Sequence, residues 1–180
     1  MSRRLATVVA LAVAPTLLLS GCGAWQAISD GTSNAFHAVF YRQVKVLNVD
    51  LAARDALNSD DAGRSNSVAV RIYQLKDRKV FDGASYDDLM KNDKTVLAQD
   101  LNSSMAAVLN PGASASFTEP MQKNTQYVAV IALYRAPGTD GAWKRVVEKK
   151  KLDPEKPLKL ELVANQLRIA GDDGGQTAKE

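Results

Sequence analysis

The sequence predicts a mainly β protein, a two-sheet β-sandwich with a short helical insertion. Three observations carry that prediction. Short runs with apolar–polar alternation recur along the chain, separated by turn residues such as Pro111-Gly112. One run, Tyr127 to Tyr134, is apolar on both faces, as a central strand covered on both sides is. One stretch, from about 81 to 101, breaks the β rhythm and spaces its apolar residues at the helical period.

Each element follows in order. Val44 and Val46 alternate with Lys45, and the alternation then shifts phase to Leu47, Val49 and Leu51, which predicts a bulge near Val46 or Leu47. Ala52 to Asn66 reads as a loop, longer than the roughly two to five residues of a hairpin connection. Such a loop is either a solvated connection or a functional one held on a rigid scaffold. Ser67 to Lys76 sets Val68, Val70 and Ile72 on one face and Arg71 and Tyr73 on the other. Ser85, with Asp88 three residues on, has the form of a helix start. Tyr86, Leu89, Met90, Asp93 and Leu97 then follow the helical period, so one or two short helices are expected between Ser85 and Leu101. Helices this short need tertiary packing, which Phe81, Tyr86, Leu89, Met90 and Leu97 would supply against the sandwich. Further strands are expected at Met105 to Leu109, Ala115 to Thr118, Tyr127 to Tyr134 and Trp143 to Lys150. Leu158, Leu160 and Leu162 alternate with Lys159 and Glu161 as a one-sided strand, and Leu167 and Ile169 end the series.

Ahead of this body stands a different kind of sequence. Arg3 and Arg4 precede an apolar run, Leu5 to Leu19, that Thr7, Pro15 and Thr16 interrupt and that falls short of the ~20 residues of a spanning helix. It ends in Leu19-Ser20-Gly21-Cys22, which resembles the lipobox of bacterial lipoproteins and holds the only cysteine in the chain. That resemblance implies cleavage before Cys22 and covalent lipid on its thiol and new amino terminus; two or more acyl chains anchor firmly. Gly23, rather than Asp, follows the cysteine, which under the lipoprotein sorting rule is compatible with the outer membrane. The expected organisation is a cleaved lipoprotein signal at 1–21, a tether at 22–40 whose Gly, Ser, Asn and Asp at 29–34 read as a linker, a domain at 41–171, and a disordered tail at 172–180.

Composition narrows the function. The chain carries 23 basic and 20 acidic residues, and removal of Arg3 and Arg4 with the signal leaves a net charge of +1. No basic patch interleaved with aromatics speaks for nucleic acid. His37 is the only histidine, no second cysteine exists to pair with Cys22, and no phosphate loop or nucleophile elbow is present. No enzyme activity, metal or cofactor is therefore expected beyond the lipid on Cys22. The run Glu148-Lys149-Lys150-Lys151 reads as protection of a sheet edge or as a contact for acidic lipid headgroups. A tethered sandwich without chemistry is most simply a binding module. The alternative is a periplasmic lipoprotein that carries a small ligand, which would need an apolar cavity with convergent polar groups.

One stretch adds a resemblance. Val68-Ala-Val-Arg-Ile-Tyr-Gln-Leu-Lys-Asp77, followed by Phe81, by Ala84-Ser85-Tyr86-Asp87-Asp88-Leu89, and by Asp93 and Leu97 to Leu101, stands behind the lipobox. With Pro111-Gly112, the Tyr127 to Tyr134 run and Trp143-Lys-Arg-Val, it resembles the TssJ family, the outer-membrane lipoproteins of the type VI secretion system. The resemblance covers about residues 17–170. It implies a transthyretin-like sandwich that binds the periplasmic C-terminal region of TssM and, through it, is joined indirectly to TssL. It also implies that the loop after the first strand takes part in binding. By position the candidate contacts are Arg54, Leu57, Asp60, Asp61 and Arg64, with Leu57 as apolar anchor, the charges setting register and rate, and Gly63 turning the loop back.

Overall fold

The long first strand sets the frame. β1 (Val46–Leu57) buries Leu47, Val49, Leu51 and Ala53 in alternation with more exposed neighbours. On one side it pairs antiparallel with β4 (Ser114–Pro120), and on the other parallel with β7 (Leu158–Ala164). β8 (Gln166–Ile169) pairs antiparallel with β7 and completes a four-stranded sheet in the order β4-β1-β7-β8. The second sheet is antiparallel throughout, in the order β3 (Leu101–Leu109), β2 (Val68–Leu75), β5 (Tyr127–Leu133), β6 (Lys144–Glu148). This is a computed structural model that describes residues 43–171. The expected signal peptide, Cys22, the tether and the tail lie outside the described residues.

The two sheets meet through side chains that the alternation points inward. Val49, Leu51, Leu160 and Leu162 face Val70, Ile72, Val128 and Val130, all essentially removed from water. Each such side chain contributes about 1.5–3 kcal/mol of transfer free energy. Two helices, α1 (Lys79–Gly83) and α2 (Tyr86–Val96), lie against the other face of the second sheet. They bury Tyr73, Leu75, Ala129 and Ile131 beneath Phe81, Leu89 and Leu97. The all-apolar β5 is thus a central strand with a cover on both sides.

Polar bonds fix that cover. Ser85 caps α2: the Asp88 N–H donates to Ser85 Oγ and the Ser85 N–H to Asp88 Oδ2, both at 3.2 Å. Asp93 accepts from the Tyr73 hydroxyl at 2.9 Å and pairs with Arg71 at 3.2 Å, while Arg71 also donates to the Leu89 carbonyl. Burial pushes the Tyr73 phenol well above its ordinary pKa, so its proton stays on that bond. Lys144 donates to the carbonyls of Phe81, Asp82 and Ala84 at the C-terminus of α1 and lies over the Phe81 and Trp143 rings. A cation there satisfies carbonyls that a helix end leaves open.

Several sequence expectations need correction. No bulge occurs at Val46 or Leu47, where the register against β4 is continuous. The phase change marks the start of the strand, since Val44 is buried ahead of it. The irregularity lies at the far end, where Ala53 pairs with Leu162 but Leu57 with Ala164. Residues 52–57, expected in the loop, are the last turnless part of β1. The helical segment stops at Val96, and β3 begins at Leu101, four residues before the first residue expected in a strand.

Candidate functional site

The connection from β1 to β2 spans residues 58–67 and has an ordered interior. Asp60 is its hub. Its Oδ1 accepts the N–H groups of Ala62 at 3.0 Å and Arg64 at 2.9 Å, and its Oδ2 accepts Arg64 Nε at 2.8 Å. The Arg64 backbone N–H, then its guanidinium, holds the Asp60 carboxyl below the ordinary carboxylate pKa. Asp60 and Arg64 also close the turn through the backbone: Asp60 N–H donates to the Arg64 carbonyl and Gly63 N–H to the Asp60 carbonyl. Gly63 has φ +77°, a conformation that glycine adopts without a Cβ penalty. Asp61 stands exposed beside it.

Sequence reasoning missed Asn58, which anchors the base. Asn58 is buried, has φ +47°, donates from Nδ2 to the Ser67 carbonyl and accepts the Arg135 N–H on Oδ1. An asparagine directly after a strand is a recognisable signal, because Asn tolerates the left-handed region. Ser65 donates to the Asp55 carbonyl at 2.7 Å, and Asn66 donates to the carbonyls of Asn58 and Arg64. Ser67 bonds Asn110 in the β3–β4 turn.

The expected contact residues separate into two groups. Asp60, Asp61, Gly63 and Arg64 sit together on the loop, with Arg64 largely exposed. Arg54 is not on the loop. It lies on β1 and pairs with Glu161 of β7 at 3.0 Å while its side chain remains 61 % exposed. Leu57 cannot serve as an exposed apolar anchor. It has no accessible surface and belongs to the core, in the same alternating phase as Leu47, Val49, Leu51 and Ala53. No cluster of three or more potential metal-ligating side chains occurs among the described residues.

The loop stands at the end of the domain opposite to where the chain arrives. The chain enters β1 at Val46 and leaves it at Leu57, so twelve residues of extended strand separate the two ends, roughly 40 Å. The model of a family described as type VI secretion lipoprotein, with VasD, EvfM and TssJ among its members, matches residues 45–169. The chain belongs to this family. Among solved structures, a chain of one described as a "Type VI membrane complex" is 35 % identical, with TM-score 0.68, over 71 % of this chain and 98 % of that one. A chain of a structure described as the "T6SS protein TssM C-terminal domain" from EAEC is 31 % identical, with TM-score 0.63, over 70 % and 98 %. The T6SS lipoprotein TssJ1 from Pseudomonas aeruginosa, 24 % identical over 69 % and 94 % with TM-score 0.61, shares the fold. No curated protein matches significantly.

Proposed function

We propose that this lipoprotein is anchored to the outer membrane through lipid on Cys22, faces the periplasm, and binds the C-terminal periplasmic region of TssM through the 58–67 loop. In this reading it fixes one end of the envelope-spanning complex, and TssL is reached indirectly through TssM. The observation that carries the reading is a loop already ordered around Asp60 at the end of the domain opposite the start of β1. An ordered loop loses little conformational freedom on binding, so a small interface can hold. The family match and the likeness to a chain of a type VI membrane complex support the same reading. Confinement of both partners raises their effective concentration further.

The test is a titration of the chain from Gly23 onward with the periplasmic C-terminal region of the cognate TssM. A second protein carries a Gly-Ser turn in place of residues 59–66, which leaves β1 and Asn58 intact. Micromolar or tighter binding that the loop variant loses is the expected result. Equal binding by the variant would move the interface off the loop, and no binding by either would remove TssM as partner.

A further inference from the structure

A recess of about 460 Å³ opens between the two sheets at the edge formed by β6 and β8. Its floor is apolar. Val147 points inward, since it pairs with buried Val128, and Leu152, Pro157, Leu158, Ile169 and Ala170 add apolar surface beside it. Its rim carries Lys151, Lys156 and Lys159 together with one acid, Asp153. These lysines are weakly neutralised. Lys151 lies 3.7 Å from Glu148, which Lys150 already holds at 2.7 Å, and Lys156 lies 3.7 Å from Asp153. Lys159 makes no ion pair among the described residues. Residues 148–159 hold five lysines against three acids.

The recess sits at the end where the chain arrives. β7 runs parallel to β1 and begins at Leu158 opposite Val49, so both strands start at this end. Protection of a sheet edge would explain the lysines but not the apolar floor beneath them. A soluble anion would use the lysines alone, and a neutral apolar ligand the floor alone. Both together suit an amphiphile with a negative head.

We propose that this recess binds the headgroup region of an anionic phospholipid in the membrane surface. The phosphate meets Lys151, Lys156 and Lys159, and the glycerol with its first methylenes rests on Val147, Leu152, Leu158 and Ile169. The proposal rests on the lipoprotein reading only in turning this end toward a bilayer. A bilayer-bound domain then presents its opposite end, with the 58–67 loop, away from the membrane.

The experiment uses the chain from Gly23 onward, which carries no acyl group, so its outcome is independent of lipidation at Cys22. It is sedimented with vesicles of phosphatidylethanolamine, with or without a minor fraction of phosphatidylglycerol. Binding to the anionic vesicles alone is expected. Lys156→Glu with Lys159→Glu should lower the partition coefficient at least about tenfold, because each lysine at an anionic surface counts for roughly fivefold. Lys91→Glu with Lys94→Glu, an equal charge change on α2, should alter it by no more than about twofold. Leu152→Gln, which changes no charge, should also weaken binding. Circular dichroism confirms that each variant is folded. Equal loss in both charge variants, or no loss with Leu152→Gln, would reduce the effect to net charge and overturn the site. Competition by inorganic phosphate at millimolar concentration would reassign the lysines to a soluble anion.

Discussion

Asp60 and Leu57 lie three residues apart and serve different ends. Asp60 is bonded as an anion, with its folded pKa held below the ordinary value near 4. Its contribution is therefore complete above about pH 4 and is lost as pH falls through the folded pKa. Asp88, held low first by its bond from Ser85, adds to the same acid limb. Asp60→Asn should give a shallower fall in Tm between neutral and acid pH than the parent protein, and a weaker hold on TssM at neutral pH. A parent-like acid limb would show that Asp60 does not order the loop. Leu57→Ala removes a fully buried side chain and should cost about 2–5 kcal/mol in denaturant unfolding. Affinity per folded molecule should change little, since Leu57 is below the surface. Gly112→Ala should also destabilise. Gly112 has φ +74°, and a Cβ there would stand 2.7 Å from an Asp55 oxygen.

At the scale of elements, α2 shows how local signals reached the structure. Ser85 and Asp88 announced the helix start, and the capping box formed as spelled out by their spacing. Ser85→Ala should cost about 1 kcal/mol, read as a shift in the denaturant midpoint. No change would mean that packing of Leu89 and Tyr86 alone holds the helix. Strands with one wet face were equally legible, as in β7, where buried Leu158, Leu160 and Leu162 alternate with Lys159 and Glu161. Other features were hidden for physical reasons. The last part of β1 presents Arg54, Asp55 and Ala56 to water on an irregular stretch, so no alternation marks it. β3 starts with Leu-Asn-Ser-Ser because Ser103 bonds Glu119 and Asn102 bonds Thr125 across an end of the sandwich. Gln74 joins that network, bonding Glu119, Gln122 and Thr125 although it is buried. α1 is too brief for any period to show, and it depends on Lys144 from a distant strand.

For the whole molecule, the fold was readable because each sheet face carries its own periodicity. The candidate loop was readable in its second half only, since residues 52–57 belong to β1, and its contacts, which Asn58 and Asp60 make with partners near and far in sequence, were not. Cys22→Ser should leave folding of the domain unchanged while abolishing secretion in cells. Full secretion by that unlipidated protein would show that anchoring is dispensable. The position of β1 has a mechanical consequence. A pull applied to the chain ahead of Gln43 and resisted at the loop runs down one strand, from Val46 to Leu57. A strand rises about 3.3 Å per residue, and a chain can be stretched to no more than about 3.6 Å per residue. The load path therefore has almost no slack and passes along covalent bonds. The ladders to β4 and β7 need not shear, and β1 can carry tension between its two ends while the sandwich around it stays folded.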